Sequence, residues 1–173
     1  MADTDPAPVV DVTGARAYLD RLRRREDSVV LTNGCFDLIH HGHVAFLQAC
    51  AALGDLLVVG LNENDAVTAL KGDGRPVLST DQRGQILAGM KWVDLVVTFP
   101  QLTAERLIEA IMPDVYAKGA DYDPDSGSEP LPELGAVTKT GSRLHFVTLT
   151  PGASSSDLYR RASAAAAMRD PAD

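Results

Sequence analysis

A short apolar run, Val29-Val30-Leu31, passes directly into Thr32-Asn33-Gly34-Cys35-Phe36-Asp37-Leu38-Ile39-His40-His41-Gly42-His43, and a second apolar stretch opens at Val44. The order is strand, tight glycine turn, histidine cluster, helix. No other feature constrains the fold as much, because a strand that enters a helix through so short a turn belongs to a βα unit. The junction gathers backbone N–H groups, a helix N-terminus and imidazoles around one small volume, which suits the phosphates of a nucleotide. Gly34 is expected at the turn itself, where a side chain would obstruct. A spacing of three puts His40 and His43 on one face of a starting helix. Gly42 between them leaves the backbone open to a ligand, and Thr32 offers a hydroxyl at the strand end.

The rest of the chain repeats the alternation. Strands are expected over 29–32, 56–61, 95–99, 115–117 and 144–149, and helices over 13–26, 41–53, 62–70, 79–90, 103–111 and 154–168. Ser79-Thr80-Asp81 is a helix-start cluster. The helix at 103 lacks one, since Arg106 stands where a capping box led by Thr103 needs Glu or Gln. Residues 121–135 read as a loop from their Pro, Gly and acidic content. Strands alternating with helices from end to end predict an α/β fold: a doubly wound, five-stranded parallel sheet in a single domain spanning 13–168. Residues 1–12 are expected to be a flexible N-terminal tail and 169–173 a C-terminal tail. Right-handed crossovers place every strand-to-helix loop at one sheet edge, where ligands bind.

Composition narrows the function by exclusion. The 173 residues suffice for one domain with a proper core. A net charge of −8 argues against a nucleic-acid partner, which would call for a basic surface. Two cysteines, Cys35 and Cys50, are no disulfide framework, so a reducing cytoplasm fits best. The acidic, polar N-terminus shows no signal peptide. No apolar run approaches the roughly 20 residues that span a bilayer, so no membrane partner is expected. His40, His41 and His43 raise zinc as a reading, but there is no HExxH and no nearby Cys pair of zinc spacing, and no metal ligands are assigned. Cys35 reads as a small buried side chain, not a nucleophile.

The stretch Gly34-x-Phe36-Asp37-x-x-His40-x-Gly42-His43 resembles the HxGH motif of the nucleotidylyltransferase superfamily. Further motifs follow in order: Gly54-Asp55-Leu56-Leu57-Val58-Val59-Gly60-Leu61-Asn62; Leu70-Lys71-Gly72-Asp73-Gly74-Arg75-Pro76; Arg83 with Leu87; Val93-Asp94-Leu95-Val96-Val97-Thr98-Phe99; and Pro113-Asp114-Val115-Tyr116-Ala117-Lys118-Gly119-Ala120-Asp121-Tyr122. Together, over about residues 28–160, they resemble the adenylyltransferases that make ADP-heptose from heptose 1-phosphate. Two positions depart or vary. Gly152-Ala153-Ser154-Ser155-Ser156 stands where those enzymes carry GxSTT, though a Ser hydroxyl replaces a Thr hydroxyl. His41 occupies the variable place in HxGH.

The resemblance implies a Rossmann-like fold and transfer of a nucleotidyl group, with ATP and a sugar 1-phosphate as partners and Mg²⁺ accompanying ATP. It implies that His40, His43 and Lys71 are catalytic. Thr32, Asn33, Gly34, Cys35, Phe36, Gly42, Lys118, Gly119, Ser154, Ser155 and Ser156 would bind nucleotide. Asp37, Arg75 and Asp121 would bind the second substrate; Asp37 has a further reading, orienting the loop or contacting the metal indirectly, and Arg75, with Lys71 on the glycine-rich loop, could fold over the site and pair with phosphate. Some relatives carry a sugar kinase upstream. The few residues before Thr13 leave no room for one, so the expectation is a stand-alone transferase. A homodimer is implied because relatives are often dimers. Two other readings compete: a cytidylyltransferase for glycerol 3-phosphate or a related alcohol phosphate, and a nucleotide-binding module without catalysis.

Overall fold

The computed structural model describes residues 5–124, 127 and 130–167. It contains β1 (Val9–Asp11), α1 (Val12–Leu22), β2 (Val29–Gly34), α2 (His41–Ala51), β3 (Leu56–Asn62), α3 (Asn64–Lys71), α4 (Thr80–Ala88), β4 (Leu95–Phe99), α5 (Glu105–Ile111), β5 (Val115–Gly119), a 3₁₀ turn (Ala120–Tyr122), α6 (Leu134–Thr140), β6 (Arg143–Val147) and α7 (Ser155–Ala167). All strand pairs are parallel, in the order β1-β4-β3-β2-β5-β6. After β2 the chain builds outward through β3 and β4, then crosses back to place β5 on the other side of β2. The strand order therefore switches between β2 and β5, where a crevice opens at the strand ends.

Side chains along each strand alternate between two cores. Val29, Leu31, Val58, Val97 and Tyr116 face α1, α5 and α6, whereas Val30, Leu57, Val59, Val96 and Ala117 face α2 and α4. Every residue of β3 is buried, as a sheet covered on both faces requires. Burying each large apolar side chain contributes about 1.5–3 kcal/mol.

The sheet has six strands where five were expected. The extra one, Val9–Asp11, falls in the stretch read as a tail. It pairs Val9, Val10 and Asp11 with Val96, Val97 and Thr98. Three residues carry no periodicity to read; the partner strand defines them. Asp11 also starts α1, its Oδ1 accepting the Gly14 N–H at 2.8 Å. A second unforeseen element is α6, which occupies the join between the expected loop and the last strand. At seven residues it is too short to show a face, and it ends at Gly141 with φ of 72°. The missing cap at 103 is filled from afar: the Ala104 N–H donates to Glu133 Oε1 at 3.0 Å. Among the described residues no helix is long and apolar enough to cross a membrane.

Candidate functional site

A cleft lies at the switch point, above the ends of β2 and β5. Of the residues singled out in the sequence, Asn33, Gly34, Cys35, Phe36, His40, Gly42, His43, Lys71, Lys118, Gly119, Asp121, Ser154, Ser155 and Ser156 all line it. Segments from both ends of the chain meet there because their strands are neighbours in the sheet.

One wall is built at the start of α2. His40 is the N-cap, and its Nδ1 accepts the Gly42 N–H at 3.1 Å; the His40 N–H in turn donates to His43 Nδ1 at 3.3 Å. This is a capping box made from two histidines. The rings stack with centroids 3.9 Å apart. With Nδ1 accepting in both, each neutral imidazole carries its proton on Nε2. Burial, then repulsion from His40 and Lys71, pushes His43 down to about 4. Burial, then His41 and Lys71, holds His40 below its ordinary value. Both rings are therefore neutral donors at neutral pH.

The start of α7 closes this wall. Ser154 Oγ accepts the Asp157 N–H at 3.4 Å, and Ser155 Oγ donates to Leu38 O at 3.0 Å. The Ser155 hydroxyl is thus spent on tying α7 to the β2–α2 loop. A Cβ on Gly42 would stand 2.5 Å from Ala153 Cβ. The glycine's empty side chain space admits the serine segment, in addition to leaving Gly42 at the cleft. Lys71, exposed at the end of α3, stands at the rim.

The other wall belongs to the α5–α6 side of the sheet. Lys118 is 6 % exposed, and its ammonium lies 3.3 Å from Asn33 Oδ1 and 4.3 Å from the Tyr122 ring centroid. The Tyr116 hydroxyl donates to the same Asn33 oxygen at 2.6 Å. Burial depresses the Lys118 pKa, with Glu133, Asp121 and Cys35 opposing. Burial raises the Cys35 thiol, consistent with a residue that is not a nucleophile. A Cβ on Gly119 would stand 2.4 Å from Asp121 Oδ1, so the glycine lets that carboxylate fold back over the strand end.

Three expected site residues do not reach the cleft. Thr32 is fully buried beneath α2 beside Cys50, because strand alternation turns it there. Asp37 is fully buried and accepts from Arg75 Nε, from the Val77 N–H at 2.7 Å and from the Leu78 N–H at 3.4 Å. Burial alone would raise its carboxyl, but these donors hold it below the usual range. Arg75 is buried in that pair with its guanidinium 4.8 Å from the Tyr159 ring centroid. The two are struts that fasten the glycine-rich loop and α7 behind the site. The left-handed residue of the turn is Phe36, at φ of 43°, not Gly34. Gly34 instead makes room, since a Cβ there would meet the Phe36 ring at 3.2 Å.

The sequence reading also left out important residues. Arg83 is fully buried and uses all five N–H groups: Nε to Leu78 O, Nη1 to Cys35 O and Asn62 O, Nη2 to Asn64 Oδ1 and Thr80 Oγ1, at 2.7–3.1 Å. It pins the ends of β2 and β3 to the starts of α3 and α4. A lone Arg in a helix ordinarily reads as a surface charge, although Arg83 did appear in a motif. Glu133 and Asn62 also line the cleft. Asn62 closes the second motif of the resemblance, whereas nothing in the local sequence marks Glu133.

A parallel sheet with two helix starts and paired neutral imidazoles at its switch point defines a Rossmann-like domain built to hold phosphates. The chain belongs to the cytidylyltransferase-like family, the HxGH nucleotidylyltransferases, whose model matches residues 31–161. It is 42% identical over 148 residues to the bifunctional protein HldE of Syntrophotalea carbinolica, covering 84% of this chain and 29% of that protein. With HldE of Alkalilimnicola ehrlichii it shares 40% over 162 residues, covering 94% and 32%. The chain thus spans about a third of the length of these curated relatives. Among solved structures, a lipopolysaccharide core biosynthesis protein from Thermoplasma volcanium superposes with a TM-score of 0.56 at 23% identity, covering 72% of this chain and 97% of that one. Pantothenate synthetase from Thermus thermophilus gives 0.61 at 17%, covering 88% and 67%. At these identities the structures speak for the fold.

Proposed function

We propose that this chain transfers an adenylyl group from ATP to a sugar 1-phosphate, D-glycero-manno-heptose 1-phosphate being the best candidate, to give ADP-heptose and pyrophosphate. The observation that carries the reading is the pair of facing walls: two helix starts with neutral imidazoles on one side, a buried lysine on the other. The ordered motifs and the HldE relatives support the sugar-phosphate acceptor.

In this reading an oxygen of the sugar phosphate attacks the α-phosphorus. The new P–O bond forms as the bond to the β-phosphate oxygen breaks, and pyrophosphate leaves with that electron pair. No covalent bond to the protein is needed. His40 and His43 donate from Nε2 to phosphate oxygens whose charge grows in the transition state. The N-termini of α2 and α7 receive the triphosphate, and Lys71 at the rim pairs with it. Lys118 takes the acceptor phosphate. Asp37 and Arg75 hold the loop rather than touch substrate.

Mg²⁺ fits as a companion of the triphosphate. Among the described residues no group of three His, Cys, Asp or Glu forms a cage, and Asp37 is occupied by its own donors. Phosphate-bound Mg²⁺ asks for little more from protein, and it supplies charge neutralisation on the phosphates. The reaction is assigned to the cytoplasm, where the free thiols of Cys35 and Cys50 stay reduced.

Pyrophosphate release across sugar 1-phosphates and alcohol phosphates, each with ATP and with CTP, tests the reading. Turnover of a heptose 1-phosphate with ATP supports it; no turnover of any sugar 1-phosphate overturns it. The family description favours one second reading, cytidylyl transfer to glycerol 3-phosphate or a similar alcohol phosphate, and the CTP arm would reveal it.

A further inference from the structure

The cleft carries a carboxylate that the proposed reaction leaves unused. Glu133, just before α6, is only 4 % exposed, yet it lines the cleft. Its Oε1 accepts the Ala104 N–H, which anchors the side chain. A carboxylate has about four lone-pair sites, so one backbone N–H leaves most of its accepting capacity for a ligand. Glu133 also stands close enough to Lys118 and Tyr122 to influence both electrostatically.

Charge and geometry say what that ligand is. A triphosphate belongs against the helix starts of α2 and α7, whose N–H groups receive anions, whereas the opposite wall sets the Glu133 carboxylate beside the buried ammonium of Lys118. A buried carboxylate accepts from N–H and O–H donors, and the hydroxyls of a sugar are donors that bring no further charge into the cleft. In-line displacement puts the attacking oxygen opposite the leaving pyrophosphate. With pyrophosphate leaving towards the α2–α7 wall, the acceptor enters along the Glu133 wall.

We propose that Glu133 is a specificity-determining residue that accepts hydrogen bonds from ring hydroxyls of the acceptor sugar, while the neighbouring Lys118 holds that sugar's phosphate. This rests on the reading that the acceptor is a sugar phosphate. A ribose offers the same paired hydroxyls, so the experiment separates the nucleotide from the acceptor.

Steady-state kinetics with Mg²⁺, ATP and heptose 1-phosphate, comparing wild type with Glu133→Gln, provides the test. Glutamine keeps an oxygen for the Ala104 N–H, so the melting temperature should hold. The KM for heptose 1-phosphate should rise about 10–100-fold, the scale of one hydrogen bond to a charged group, with the KM for ATP unchanged. Wild type should also discriminate at least about tenfold against one single-deoxy analogue of the sugar phosphate. Glu133→Gln should lose that preference. An unchanged acceptor KM in folded Glu133→Gln makes Glu133 a helix cap only and overturns the proposal. A rise confined to the KM for ATP, absent with 2′-deoxy-ATP, assigns Glu133 to ribose and also overturns it. If the variant fails to fold, the wild-type deoxy series decides alone, and indifference to every missing hydroxyl overturns it. Wild-type failure on all sugar phosphates instead fells the proposed function, and this inference with it.

Discussion

The two walls of the cleft are made by opposite means. The α2–α7 wall consists of backbone N–H groups, serine hydroxyls and two stacked imidazoles, neighbours within each helix start, although the two starts are tied across 117 residues by the Ser155–Leu38 hydrogen bond. The Lys118–Glu133 wall consists of buried side chains brought from afar: Lys118 and Tyr116 meet Asn33 from 85 and 83 residues away, and Glu133 caps a helix 29 residues upstream. The first wall receives anions with local, inexpensive geometry. The second buries charge, which a protein does only where partners or ligands compensate for the lost water. This difference teaches that the phosphate-suited wall rests on two contiguous segments legible in the sequence, whereas the Lys118–Glu133 wall is a property of packing.

The largest effect should come from removing the strut behind the first wall. Asp37→Ala leaves the Arg75 guanidinium buried without its partner and should cost about 3–5 kcal/mol in urea unfolding. A loss below about 1 kcal/mol would place the pair on the surface in energetic terms. Next, His40→Ala and His43→Ala should each lower kcat about 10²–10³-fold, with the fold kept, as for loss of one donor to developing charge. Near-normal kcat in both would break the assignment of chemistry to the first wall.

The third effect is pH-dependent. His43 is held near 4 when folded, against 6.5 ordinarily. The unfolded chain therefore binds more protons between these values, and stability rises with pH through that window. The contribution is complete above about pH 6.5 and is lost as pH falls towards 4, by at most about 3 kcal/mol. Urea unfolding from pH 4 to 8 should show a shallower dependence in His43→Asn; an identical slope would remove the buried imidazole as its cause.

On the second wall, Lys118→Met should raise the KM for the sugar phosphate about 10–100-fold while ATP binding persists. Equal losses for both substrates would erase the division between the walls. The smallest effect is expected inside the first wall, where α2 meets the segment before α7. In Gly42→Ala the new methyl meets Ala153, which should lower stability by about 1–3 kcal/mol and loosen the serine segment. A variant with unchanged melting and an unchanged KM for ATP would show that the α2–α7 contact is dispensable.

Legibility followed the same division. The strands at 56–62 and 95–99 were readable because buried parallel strands are continuous apolar runs. The His40–His43 pair was readable because three-residue spacing alone puts both rings on one helix face. Val9–Asp11 and Leu134–Thr140 were not, since each is too short to carry a period. The loop-orienting role of Asp37 is legible from its place in the motif, but its pairing with Arg75 outside the cleft lining is not, because spacing says nothing of which charge turns inward. That a side chain at Gly34 would obstruct the turn is legible and holds, whereas the positive φ of Phe36 is not legible.

By itself, then, the order of residues determined the alternating α/β architecture, the phosphate-suited junction and the family, since these rest on local periodicity and contiguous motifs. Only the tertiary structure decided that Arg83 clamps four segments with every N–H engaged, that Asp37 and Arg75 pair outside the cleft lining, and that Glu133 both accepts the Ala104 N–H and lines the cleft. Those outcomes depend on which distant groups burial forces together, and a buried polar atom takes whichever partner the packing supplies.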